Sequence, residues 1–155
     1  MQAFEALTGA VVIKGFTTIG TIYGMGQVAI DARQFTDASN GRSQYGIAIE
    51  VKGSGDISRE DTSFIDLDEI DSLVAGIDYV KKANSSITKL KSFEVIYRTK
   101  GDFTVTVFSG NDGKLAAAIS SGSIGRATAY ISLEKLGEIK TLIIQAKTIL
   151  ESIKK

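Results

Sequence analysis

The sequence predicts an α+β fold of two ββββα repeats, with antiparallel sheets packed against two helices. Three observations predict it. One strand-to-helix junction occurs twice, 66 residues apart. Ahead of each junction, apolar residues alternate with the period of strands. After each junction, they recur at spacings of three and four, the period of a helix. A single domain over 1–155 is expected, with repeat one at about 8–83 and repeat two at about 90–155.

The junction is the most informative element. Phe64-Ile65-Asp66-Leu67-Asp68-Glu69-Ile70 matches Tyr130-Ile131-Ser132-Leu133-Glu134-Lys135-Leu136, and Leu73, Ile77 and Lys81 align with Ile139, Ile143 and Lys147. Asp66 and Ser132 are suited to N-caps, because a short side-chain oxygen can accept an orphan N–H of the first turn. Asp66 and Glu69 have capping-box spacing, which Lys135 breaks in the second copy. The first helix is expected over Leu67–Val80, with Lys81 and Lys82 suited to the negative end of its dipole and Asn84 as its stop. The second is expected over Leu133–Ile153, with Leu136, Ile139, Ile143, Ala146, Leu150 and Ile153 on one face.

Strands fill the segments upstream. In repeat two, Ser92–Arg98 alternates Phe93, Val95 and Tyr97 against Glu94, Ile96 and Arg98. A turn at Lys100-Gly101 leads to Phe103–Ser109, and Asn111-Asp112-Gly113 is a hairpin turn. Leu115–Ser120 and Arg126–Ile131 complete the meander around a Gly/Ser loop. In repeat one, Ala10–Tyr23 is a long strand with expected bulges at Gly15 and Gly20. Gln27–Phe35, Gln44–Lys52 and a short strand at Ser63–Ile65 follow.

Composition narrows the chemistry. With no histidine and no cysteine, one chain can build no Ser-His-Asp triad, thiol nucleophile, disulfide or His-based metal centre. An enzyme would rest on carboxylate, Lys, Tyr or Ser chemistry, and no such group falls in an identifiable cleft. No cofactor is expected. Asp66, Asp68, Glu69 and Asp71 lack the EF-hand pattern and read as acids favoured at a helix start. None of the glycine clusters leads from a strand into a helix with the lysine a phosphate loop requires, so they read as turns and bulges. Met1–Thr8 lacks the basic and apolar regions of a signal peptide, and no run approaches the ~18 apolar residues of a spanning helix. A cytoplasmic location with no membrane partner is expected.

Net charge is zero, but unevenly spread. Residues 1–83 carry seven Lys/Arg and twelve Asp/Glu, a net of −5, and residues 84–155 carry +5. Opposite halves can join each other, join subunits, or leave a basic face for an acidic partner.

The element order resembles the whirly and Pur-alpha proteins, which are built of ββββα units. The stretch Tyr130-Ile131-Ser132-Leu133-Glu134-Lys135-Leu136 also resembles the strand-Ser-Leu-helix ending of single-stranded-DNA-binding coactivators of the positive-cofactor-four type. The resemblance implies the fold and a single-stranded nucleic acid partner; it carries over no individual binding residue. Lys91, Arg98, Lys100, Phe108, Lys114 and Arg126 are the candidates from the residues themselves, being cations and an outward aromatic of the basic half. Mixed signs elsewhere, as at Asp31/Arg33 and Glu50/Lys52, favour a solvated ladder. A second reading is a homo-oligomeric interaction or scaffold protein, with Leu136, Ile139, Leu142, Ile143, Ile149 and Leu150 as its seam. A third places a small-molecule or catalytic site between sheet and helix.

Overall fold

Eight strands and two helices follow in the expected order in the computed structural model, which describes residues 8–55 and 58–154. The first sheet is the antiparallel meander β1 (Val12–Gly24), β2 (Gly26–Asp37), β3 (Ser43–Lys52) and β4 (Glu60–Asp66). A 3-10 turn at Leu67–Glu69 leads into α1 (Ile70–Lys81). The second meander is β5 (Glu94–Arg98), β6 (Phe103–Ser109), β7 (Leu115–Ser121) and β8 (Ala127–Ile131), followed by α2 (Leu133–Ile153). Neither helix is long and apolar enough to cross a membrane.

Alternation decides which face is covered. Val28, Ile30 and Ala32 of β2, Ile47, Ile49 and Val51 of β3, and Phe103, Val105 and Val107 of β6 all point inward and are buried. They join Ile70, Leu73, Ile77 and Val80 of α1 and Leu136, Ile139, Ile143, Ala146 and Leu150 of α2 in one continuous apolar cluster. Each helix crosses to the other half. The second-half helix α2 packs chiefly on β1, β2 and β3, and the first-half helix α1 packs on β5 and β6. Lys140 Nζ donates to Asp78 Oδ1 and Lys147 Nζ to Asp71 Oδ1, each at 2.6 Å, so the helices lie antiparallel. Part of the opposed charge of the two halves is spent in this contact.

Two close approaches hold the halves together. The one-residue turn at Met25 inserts beside β8, where Met25 and Tyr130 exchange both backbone hydrogen bonds at 2.9 Å. Gly24 permits this, since a Cβ there would lie 2.4 Å from the Tyr130 carbonyl oxygen. On α1, Gly76 sits against the Tyr97 ring, where a Cβ would meet ring carbon at 2.1 Å.

Several expectations change: the α-helix expected from Leu67 begins at Ile70 after the 3-10 turn, and the short strand expected at Ser63–Ile65 extends over Glu60–Asp66. The bulge falls at Ile19, between Thr18 and Gly20, while Gly15 pairs regularly with Gln34. Ser132 caps α2, accepting from Lys135 N at 3.2 Å, but Asp66 makes no side-chain cap at the first junction. Glu69 completes no capping box either: its Oε2 accepts the Lys100 N–H at 2.9 Å, fastening the β5–β6 turn to the 3-10 turn.

Candidate functional site

Both helices cover the inner faces of the sheets, so the outer face of β5–β8 stays open. Strand register places its side chains in rows. Arg98, Thr104, Ser120 and Thr128 form one row, and Ile96, Thr106, Ala118 and Tyr130 the next. Glu94, Phe108 and Ala116 form the third. Arg126, just ahead of β8, lines the same shallow depression of about 340 Å³. Four residues of strand separate Thr104 from Phe108, so the outer rows are about 13 Å apart.

The aromatic end is built by β6 and β8. Phe108 and Tyr130 meet edge to face, with ring centroids 6.4 Å apart and planes at 86°. The Met25 bridge fixes the Tyr130 backbone, yet its side chain is 48% exposed. Ile96, in the same row as Tyr130 but on β5 at the far edge of the sheet, is 55% exposed. The opposite end is cationic and hydroxylic: Ser120 Oγ and Thr128 Oγ1 are 3.0 Å apart between the strands that place Arg98 and Arg126. Neither arginine has an ion pair among the described residues.

The sequence candidates therefore divide. Arg98, Phe108 and Arg126 come together on one face. Lys100 lies in the β5–β6 turn at the Arg98 end. Lys91 and Lys114 lie at the other end: Lys91 lines a separate depression with Asn84 and Asn111, and the Lys114 N–H donates to Asp112 Oδ1 at 3.0 Å within the β6–β7 turn. Tyr130 and Ile96 were not among the candidates. Alternation was the signal for both, since each lies between inward neighbours, Ala129 and Ile131 or Val95 and Tyr97.

No protein-family model matches the sequence, and no curated protein does. The site's own geometry must carry the reading.

The first sheet has the corresponding face in a closed form. The repeated junction equates Phe64 with Tyr130. Register then equates Arg33 with Phe108, because Arg33 pairs with Gly46 as Phe108 does with Ala116. Arg33 lies over the Phe64 ring at 5.4 Å, and Phe35 meets Phe64 edge-on with centroids 6.2 Å apart. Asp31 pairs with Arg33 at 3.5 Å. This face already engages its own cation with Asp31 and the Phe64 ring, although Arg33 Nε finds no partner among the described residues, whereas the β5–β8 face leaves two exposed to a ligand.

The expected oligomer seam is placed differently. Leu136, Ile139, Ile143 and Leu150 are wholly buried against the chain's own sheets, and Leu142 packs partly buried against Gly20. A helix crossing to the opposite sheet needs this whole stripe for the core. Only Ile149 of the set stays substantially exposed, near Ile144, which lies off the stripe. These two line an open groove of about 550 Å³ between β1 and α2 that has no ionisable side chain.

Proposed function

We propose that the chain is a non-catalytic binding module that takes single-stranded nucleic acid across the open face of β5–β8, on a duplicated ββββα plan like that of whirly and Pur-alpha proteins. One observation carries the reading: Phe108 and Tyr130 share a helix-free sheet face with the unpaired cations Arg98 and Arg126. Single strands are held by aromatic faces that stack bases beside cations that track phosphates. The Arg98 row and the Phe108 row lie at opposite ends, and in the row between them the Thr106 hydroxyl, beside Tyr130's row partner Ala118, can bond a base edge or sugar. Glu94 at the aromatic end disfavours a phosphate there and favours a base.

The test is fluorescence anisotropy with labelled oligo-dT, oligo-dA and a matched RNA. Affinity should fall as salt rises from about 50 to 200 mM, with a log–log slope reduced by roughly 0.7 for each of Arg98→Ala and Arg126→Ala. Tyr130→Ala should weaken binding by about 1–3 kcal/mol with little change in slope. No binding at low salt, where the electrostatic contribution is greatest, sinks the proposal.

A further inference from the structure

The outer edge of β1 has the features of a self-pairing surface. It is the edge strand of the first sheet, and from Ile13 to Thr18 its residues are exposed. Exposed edges are ordinarily blunted by charge, proline or a bulge. The chain has no proline, the bulge at Ile19 lies past this segment, and Lys14 is its only charge.

We propose that Val12–Thr18 pairs antiparallel with the same segment of a second copy about a two-fold axis at Gly15, making one eight-stranded sheet across the dimer. Symmetry and side chains both select that centre. Gly15 is the midpoint of the bulge-free run, so Val12 would oppose Thr18 of the second copy and every residue between would find a partner. A closed two-fold contact must be complementary to itself. Centring on Gly15 sets each Lys14 opposite the other copy's Phe16, the cation–ring contact already present within one chain, where Lys14 Nζ lies 5.7 Å from the Phe16 ring centroid. Centring on Lys14 would oppose two like charges, which is destabilising.

The occupant is a second copy because the surface beneath the edge is equally free of charge. Ile13 and Thr17 point to the α2 side, where the groove continues along Thr141, Ile144, Thr148 and Ile149. The charged residues of that helix segment turn elsewhere: Lys140 and Lys147 are tied to Asp78 and Asp71 of α1. Depletion of charge marks the centre of protein interfaces. The chain's zero net charge also leaves no long-range repulsion between copies.

The test uses the absence of native cysteine. A Cβ at Gly15 meets nothing within 4 Å, so Gly15→Cys is accommodated. Opposed Cβ atoms across an antiparallel pair are about 4.5–5.5 Å apart, close to disulfide reach. The full chain should sediment as a dimer at about 100 μM, a concentration at which a complex with a Kd of roughly 1 μM is mostly formed. Under mild oxidation Gly15→Cys should cross-link to a covalent dimer. Lys14→Cys mixed with Phe16→Cys should give the mixed dimer, and Thr18→Cys alone should stay monomeric on a non-reducing gel. Phe16→Glu combined with Ile149→Lys should sediment as a folded monomer, its far-UV circular dichroism unchanged. A monomeric wild-type chain overturns the proposal, as does Thr18→Cys cross-linking as fast as Gly15→Cys.

Discussion

Ser63 of β4 and Ser121 of β7 bring their hydroxyl oxygens to 2.5 Å of each other, both fully buried. Ser121 Oγ also donates to Asp61 Oδ2 at 2.6 Å. A hydroxyl has one proton, so Ser121 spends its own on the carboxylate and accepts that of Ser63. Ser121→Ala therefore takes a partner from both the buried Ser63 hydroxyl and the half-buried Asp61 carboxylate and should destabilise by about 1–3 kcal/mol, whereas Ser63→Ala, which keeps the Ser121–Asp61 bond, should cost nearer 0.5–1.5 kcal/mol. Urea unfolding of both variants checks the order; equal losses would contradict this proton arrangement.

Gly76→Ala should destabilise, although alanine in a helix interior is ordinarily favoured over glycine by up to ~1 kcal/mol. The added Cβ would fall 2.1 Å from a Tyr97 ring carbon, and overpacking of this kind typically costs about 1–3 kcal/mol, which exceeds the propensity gain. In a Tyr97→Ala background the obstacle is gone, and the same substitution should become stabilising. Thermal melts of the four-member cycle read the change of sign.

Stability should fall at both extremes of pH. Hydrogen bonding from Lys140 holds the Asp78 carboxyl below its ordinary 3.8, and the Ser39 hydroxyl does the same for Asp37. A depressed carboxyl contributes stability that is complete above the unfolded value and lost as pH drops through the folded one, so the acid limb lies below about pH 4. The bond to Asp71 raises Lys147 above 10.5, and burial raises Tyr97 above 10.0. Those contributions are complete below the unfolded values and lost as pH climbs past them. Melting temperature followed from pH 2 to 12 should show both limbs. Asp78→Asn should flatten the acid limb, and Lys147→Met the alkaline one.

Arg33→Ala should leave oligonucleotide affinity nearly unchanged, in contrast to Arg98→Ala. Arg33 is already committed to Asp31 and the Phe64 ring, so its removal falls on stability, with about 1 kcal/mol lost from the ring contact and ion pair. Anisotropy and urea unfolding on the same preparation separate the two effects. A large loss of binding at Arg33 would shift the interface to the first sheet.

The site was legible only in part. Phe108 stood out because Phe103, Val105 and Val107 define the buried side of β6 and leave Phe108 on the other. Arg98 follows from the same alternation in β5, and Arg126 from its place ahead of β8. Lys91 and Lys114 shared their sign and half of the chain with these residues, but charge along a sequence has no direction in space. The helix stripe misled for a related reason. Spacing identifies Leu136, Ile139, Ile143 and Leu150 as one apolar face without specifying whether a sheet or another subunit covers it.

By itself the sequence determined the order of the elements and their bounds to within three residues, because alternation, helical spacing and turn chemistry act over a few residues. Tertiary structure alone decided that each helix crosses to the other half, that Asp78 finds Lys140, that Ser63 finds Ser121, and that Tyr130 completes the aromatic pair with Phe108. These contacts join residues 22 to 62 positions apart, where the partner is chosen by burial and charge across the whole chain and no local periodicity records it.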